Sequence, residues 1–126
     1  MEASTTPTIC RLPDLPRHQL STIARREQFN KLESALRVLL IHILKWDHQP
    51  ERRSRSWVLS IRDQRLALQD VIADNPGLKP RIGEAMTRAY RRAKVQAAKE
   101  TALDETRFPD ICPYSFDEVV SRKFEI

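Results

Sequence analysis

His42 and Lys45 lie in the stretch Arg37 to Trp57, RVLLIHILKWDHQPERRSRSW, on a segment that is otherwise apolar on almost every side. An imidazole moves protons near neutral pH, and an ammonium group holds anions. Hiding either from water costs free energy unless a partner is waiting, so the stretch is either a structural polar cluster or an anion site. Arg37 and His42 also stand in an R-x4-H spacing, a pattern in which an arginine holds a phosphate while a histidine moves the proton of a ribose hydroxyl. Five residues along a helix set two side chains about 140° apart, so these two do not naturally meet.

Metal chemistry has less to stand on. His42 and His48 are separated by a helix end, no HExxH is present, and the carboxylates show no ligand spacing. Cys10 lies in a proline-containing stretch and Cys112 precedes Pro113, which is neither a zinc spacing nor a disulfide framework. No metal and no cofactor is expected. Cys112 has no activating base near it in the sequence, although His42 could approach it in space, and a buried inert thiol is the simpler expectation.

The elements that position these groups follow from apolar periodicity. Phe29, Leu32, Leu36, Leu39, Leu40, Ile43 and Trp46 form one helical stripe, and Val38, Ile41 and Leu44 cover the remaining sides. A first helix ending near Asp47 should therefore be central, with neighbours on more than one face. Pro50 breaks it. Trp57, Val58, Ile61, Leu68, Val71 and Ile72 predict a second helix from about Ser54 to Ala73, stopped by Asp74-Asn75-Pro76-Gly77. Ile82, Met86, Ala89, Tyr90, Ala93 and Ala97 predict a third from about Pro80, at a first-turn position, to Thr101. Ser115-Phe116-Asp117-Glu118 has the form of a capping box opening a short helix toward Phe124. Residues 1–20, with Pro7, Pro13 and Pro16, read as an irregular N-terminal arm, and residues 21–126 as one helical domain. The expected fold class is all-α: three main helices in an up-down-up bundle plus a short C-terminal helix.

Composition narrows the function classes. A chain of 126 residues, 40% hydrophobic, has room for one domain, and two glycines argue against both a glycine-rich phosphate loop and a turn-dense β fold. The longest apolar run, Val38 to Ile41, is far short of the roughly 20 residues of a membrane span. The start lacks a basic-then-apolar leader pattern, so a soluble cytoplasmic protein is expected. The net charge of +5 is concentrated at Arg52, Arg53 and Arg55 and at Arg88, Arg91, Arg92 and Lys94. Such patches suit phosphate backbones and equally suit a solvated helix face, and 6% aromatic content leaves little for base stacking.

In an up-down-up bundle the end of helix one, the start of helix two and the end of helix three share a pole. His42, Lys45, Gln49, Arg53, Ser54, Trp57 and Glu100 should gather there, with Glu100 answering Lys45 or Arg53 and the Cys112-Pro113-Tyr114 segment as a cover. Arg65 sits inside the apolar stripe of helix two, where Glu33 could answer it. These residues form the candidate polar cluster.

The motifs LRVLLIHILKWDHQPERRSRSWVLSIRDQR, NPGLKPRI and AYRRAKVQAAKETALDETRFPDICPYSFDEVV occur in that order, and with them the chain resembles the bacterial domain of unknown function 29 family from about Gln28 to Ile126. The family pattern includes the positions of His42, Lys45, Gln49, Arg53, Ser54, Trp57, Arg65, Glu100 and Tyr114. The resemblance implies a helical bundle and no particular reaction. Two departures stand out. The proline-containing arm replaces the family's acidic and aromatic opening segment, so Phe29 and Leu32 could be left uncovered and self-association would bury them. Ala102 stands where the family commonly has glycine, which implies a less tightly ended helix three.

Two function classes remain. One is a non-catalytic interaction module offering a groove or basic face to a protein partner or nucleic acid. The other is a nucleic-acid-binding or metal-independent ribonuclease-like protein that uses His42 and basic residues.

Overall fold

The computed structural model describes residues 17–125, with side chains from residue 23 onward. Most of the expected N-terminal arm, residues 1–16, lies outside the described residues. Four α-helices follow one another: α1 (Arg17–His48), α2 (Arg55–Asp74), α3 (Ile82–Thr101) and α4 (Phe116–Ser121). Short 3-10 turns at Pro50–Arg52, Pro76–Arg81 and Glu105–Arg107 join them, and no strand occurs among the described residues. The first helix thus begins at Arg17, ahead of the expected boundary at residue 21. Pro80 lies within the 3-10 turn before α3 rather than in the helix itself, in a turn whose Leu78 is buried.

The middle of α1 is covered on several sides. Leu36, Leu39, Leu40, Ile43 and Leu44 are all essentially inaccessible, and Ile41 and Trp46 are buried with them. Helices α2 and α3 each pack along α1, yet they do not pack along one another. On α3 the contact seam is mostly small, with Ala85, Ala89, Ala93 and Ala97 fully buried, which permits a close approach of the two backbones. Helix α2 contributes Ile61 and Leu68.

The C-terminal segment bridges what α2 and α3 leave apart. Phe108, Val119 and Phe124 are buried in the common core, and α4 meets both α1 and α3. From α2, Arg65 donates through Nε to the Val119 carbonyl at 2.9 Å and through Nη2 to the Arg122 carbonyl at 2.7 Å. From α3, the Tyr90 hydroxyl donates to the Pro109 carbonyl at 2.5 Å. Ser115 and Glu118 form the expected capping box at the start of α4. That helix stops at Ser121, short of Phe124, whose ring is buried from the segment that follows.

Two expectations drawn from departures from the family pattern are corrected. Phe29 is 2% exposed and Leu32 0%, so neither is an uncovered apolar residue that calls for self-association. The left-handed cap of α3 forms without glycine: Ala102 adopts φ 60° and ψ 20°. The buried Thr101 hydroxyl braces this turn, donating to the Ala97 carbonyl at 2.7 Å and accepting from the Leu103 amide at 3.2 Å. A left-handed conformation costs a residue with a Cβ about 1–2 kcal/mol, partly offset by glycine's greater freedom when unfolded. Ala102→Gly should therefore stabilise the protein by about 0.5–1 kcal/mol, read as a higher urea midpoint. An unchanged or lower midpoint would show that the cap carries no such strain.

Candidate functional site

At the shared pole each polar group meets a partner, and the pairs follow from helix ends. Lys45 donates to Glu100 Oε1 at 2.8 Å, and its ammonium lies 4.9 Å from the centre of the Trp57 ring. Gln96, one turn before Glu100, donates to the other carboxylate oxygen at 2.8 Å. The Lys45 hydrogen bond is the main cause holding the Glu100 carboxyl below its ordinary range, against the effect of burial and with help from Gln96 and from the charges of Lys45 and His42. Glu100 thus answers Lys45, not Arg53.

Arg53 serves the end of α1. Its Nε donates to the Trp46 carbonyl at 3.0 Å, and its guanidinium lies 4.7 Å from the Trp46 ring centre. The last carbonyls of a helix have no partner within it, so this side chain, arriving across the Pro50 turn, satisfies one of them. His48 adds a second donor to the Leu44 carbonyl one turn back, through Nδ1 at 2.9 Å. Ser54 accepts from the Trp57 amide at 3.3 Å and caps α2. Gln49 reaches the Thr101 carbonyl at the end of α3, at 3.4 Å. His42 turns back onto its own helix, where Nδ1 donates to the Val38 carbonyl at 2.9 Å.

Arg65 stands apart from this group. It does not meet Glu33: its two hydrogen bonds go to backbone carbonyls of the C-terminal segment, and it sits 5.2 Å from the centre of the Phe124 ring. Carbonyl oxygens satisfy a planar guanidinium without any carboxylate. Burial alone lowers its pKa.

A second cluster, centred on Asp47, was not singled out from the sequence. Arg122 grips this carboxylate with both terminal nitrogens, at 3.0 and 2.7 Å, and the Tyr114 hydroxyl donates to Oδ2 at 2.8 Å. Burial works to raise the Asp47 pKa, but the hydrogen bonds from Arg122 and Tyr114 outweigh it and hold the carboxyl below its ordinary range. Burial and the Asp47 hydrogen bond push the Tyr114 phenol far up. The Cys112-Pro113-Tyr114 segment therefore meets the pole through Asp47. The sequence signal was an acid in the last turn of a helix, where the dipole disfavours it unless a cation is supplied. Burial raises the Cys112 thiol pKa, and the thiol is directed to the Tyr114 carbonyl at 3.5 Å rather than to His42.

Two groups of cations stand outside these clusters. Arg52 and Arg55 are exposed beside the Pro50 turn. Arg37, Arg88, Arg91, Arg92, Lys94 and Lys99 line an open groove of about 1260 Å³ between α1 and α3, together with Asn30 and the acids Glu33, Glu100, Glu105 and Asp110. His42 does not line it. Lys94 is drawn aside by Asp110 at 3.4 Å and Glu105 at 3.8 Å. Among the described residues, Arg37, Arg88, Arg91, Arg92 and Lys99 make no ion pair. Among those same residues, no group of three or more His, Cys, Asp or Glu side chains is placed to hold a metal ion.

The model of a domain of unknown function, DUF29, matches residues 18–125, which takes in nearly the whole described structure. The chain belongs to the DUF29 family. No curated protein and no solved structure matches it. In this DUF29 chain the Lys45 and Asp47 contacts join segments 55 and 75 residues apart while Arg53 closes the short Pro50 turn, and no described helix is long and apolar enough to cross a membrane.

Lys45→Met should cost about 1–2 kcal/mol in thermal or urea unfolding, because it leaves Glu100 short of its cation while keeping the contact with Trp57. A negligible loss would remove the structural account of this pair. Asp47→Asn should cost more, about 2–4 kcal/mol, since it leaves Arg122 without its anion. Asp47 and Glu100 both have folded pKa values below their unfolded ones. Their contribution is thus complete above about pH 4–4.5 and drains as pH falls toward the folded values. Unfolding measured from about pH 6 to 2 should show a shallower acid loss for Asp47→Asn than for the parent chain, and equal slopes would contradict the assignment.

Proposed function

We propose that this chain is a non-catalytic interaction module that binds the phosphate backbone of nucleic acid along the groove between α1 and α3. The single observation that carries the reading is the set of five cations without ion pairs, Arg37, Arg88, Arg91, Arg92 and Lys99, along one open groove. Of the four acids that also line the groove among the described residues, Glu100 is committed to Lys45 and Glu105 and Asp110 to Lys94, which leaves Glu33 against the five cations. From Arg88 to Lys99 the helix rises roughly 16 Å, about five axial steps of a nucleic-acid strand.

A protein partner fits less well. Protein interfaces concentrate their affinity in exposed aromatic and arginine anchors, and Tyr90, the aromatic residue of this groove, is buried with its hydroxyl occupied. Ribonuclease chemistry is also less favoured. A histidine acting on a ribose must face the phosphate, whereas His42 is bonded to its own helix and lies outside the groove that would hold the strand. On this reading the polar cluster of His42, Lys45, Gln49, Arg53, Ser54, Trp57 and Glu100 is structural: it fixes the ends of the three long helices and so holds α1 and α3 at the spacing the groove needs.

Binding to mixed-sequence duplex and single-stranded oligonucleotides should be sequence-independent. It should weaken with salt, with a log–log slope of about −3 to −5 for the four or five phosphates met. The double variant Arg88→Ala/Arg92→Ala should lower affinity at least tenfold and reduce that slope by about 2, and RNA should be recovered intact after incubation. No binding at low salt, or a slope untouched by the double variant, would refute the proposal. His42-dependent cleavage would favour the ribonuclease reading instead.

A further inference from the structure

The groove does not end openly toward the first turns of α3. Beside Phe29 it adjoins a second recess of about 590 Å³, lined by Arg26, Phe29, Asn30, Arg81 and Arg88 among others, and the two share Asn30 and Arg88. Two guanidiniums are stacked toward the Phe29 ring, Arg81 at 4.0 Å and Arg88 at 5.8 Å from its centre. That ring is itself buried, so Arg81 rests on a rigid face and Arg88, at the outer limit of the same contact, lies beside it. Arg26 and the Asn30 amide complete the ring of donors, and no carboxylate lines the recess among the described residues.

This differs from the rest of the groove, where cations are strung out along a helix. A phosphodiester offers one negative charge and passes by. A phosphomonoester carries about −1.5 to −2 at neutral pH and has three free oxygens, which several converging arginines match through charge-assisted, forked hydrogen bonds. Arg81 already meets Glu84 in a fork, through Nε and Nη2 to Oε1 and through Nη2 to Oε2, each at 3.2 Å, but both side chains are over 40% exposed. Water screens a pair this exposed, so a dianion of higher charge competes with Glu84 for Arg81. We infer that this recess takes the terminal phosphate of a strand lying in the groove, so that the chain binds phosphorylated nucleic-acid ends. The inference rests on the reading of the groove as a nucleic-acid surface.

The test compares one fluorescent oligonucleotide with a 5′-phosphate, a 3′-phosphate or hydroxyl at both ends. One of the phosphorylated forms should bind about tenfold more tightly than the hydroxyl form, the gain expected for a charge-assisted contact of roughly 1.4 kcal/mol. Arg81→Gln and, separately, Arg26→Gln should erase that difference, with folding of each variant checked by its thermal transition. Which end gives the gain identifies the strand polarity in the groove. Equal binding of all three forms would overturn the terminal-phosphate site while leaving the groove reading intact, and a difference that survives both variants would place the phosphate elsewhere. Failure of every oligonucleotide to bind would overturn both. A competition arm with inorganic phosphate separates the sources: displacement at low millimolar concentration equal to that by a nucleoside monophosphate would mean a free-anion site and refute strand-end recognition.

Discussion

Everything in this domain follows from the need to cover α1 on more sides than one partner helix reaches. A helix with Leu36, Leu39, Leu40, Ile43 and Leu44 all inaccessible needs several walls. Helices α2 and α3 supply two of them, but they lie along α1 and not along each other. The remaining cover is the C-terminal segment, with Phe108, Val119 and Phe124 turned inward. The polar contacts then take their places at the edges of this cover. Lys45 with Glu100 ties α1 to α3, Arg53 closes α1 against the turn into α2, and Asp47 with Arg122 and Tyr114 holds the last segment to the end of α1.

Much of this was legible in the sequence because helix periodicity is a local signal. The stripe from Phe29 to Trp46, the stop at Pro50 and the capping box at Ser115 each report their own neighbourhood. Helical phase and antiparallel order bring Glu100 to the pole of Lys45 and Arg53, and the fold then selects Lys45. Arg65 was not placed correctly, because a stripe position says that a side chain is buried but not whether an acid or a carbonyl will meet it. Asp47 escaped for a related reason: its partners are 67 and 75 residues away, in a segment without periodicity. The groove cations were visible as a count, yet Lys94 is occupied and Arg88 is not, and only the fold separates them.

The division of labour among the charged groups is physically coherent. Those at the pole are bonded to one another or to backbone carbonyls near helix ends. Between α1 and α3, Arg37, Arg88, Arg91, Arg92 and Lys99 make no ion pair among the described residues, and a cation so left retains its long-range field. This contrast underlies the nucleic-acid binding proposed above, since a solvated arginine holds phosphate as a permanent cation.

The bridging C-terminal segment has a consequence for how the protein comes into being. Val119 and Phe124 complete a core whose other half begins at Phe29, and Arg122 must find Asp47 across most of the chain. During synthesis α1, α2 and α3 emerge while one side of α1 is still bare. The domain therefore reaches its native state only after residues near 124 have left the ribosome, and until then the nascent chain displays an apolar helix that chaperones or neighbouring chains are free to engage.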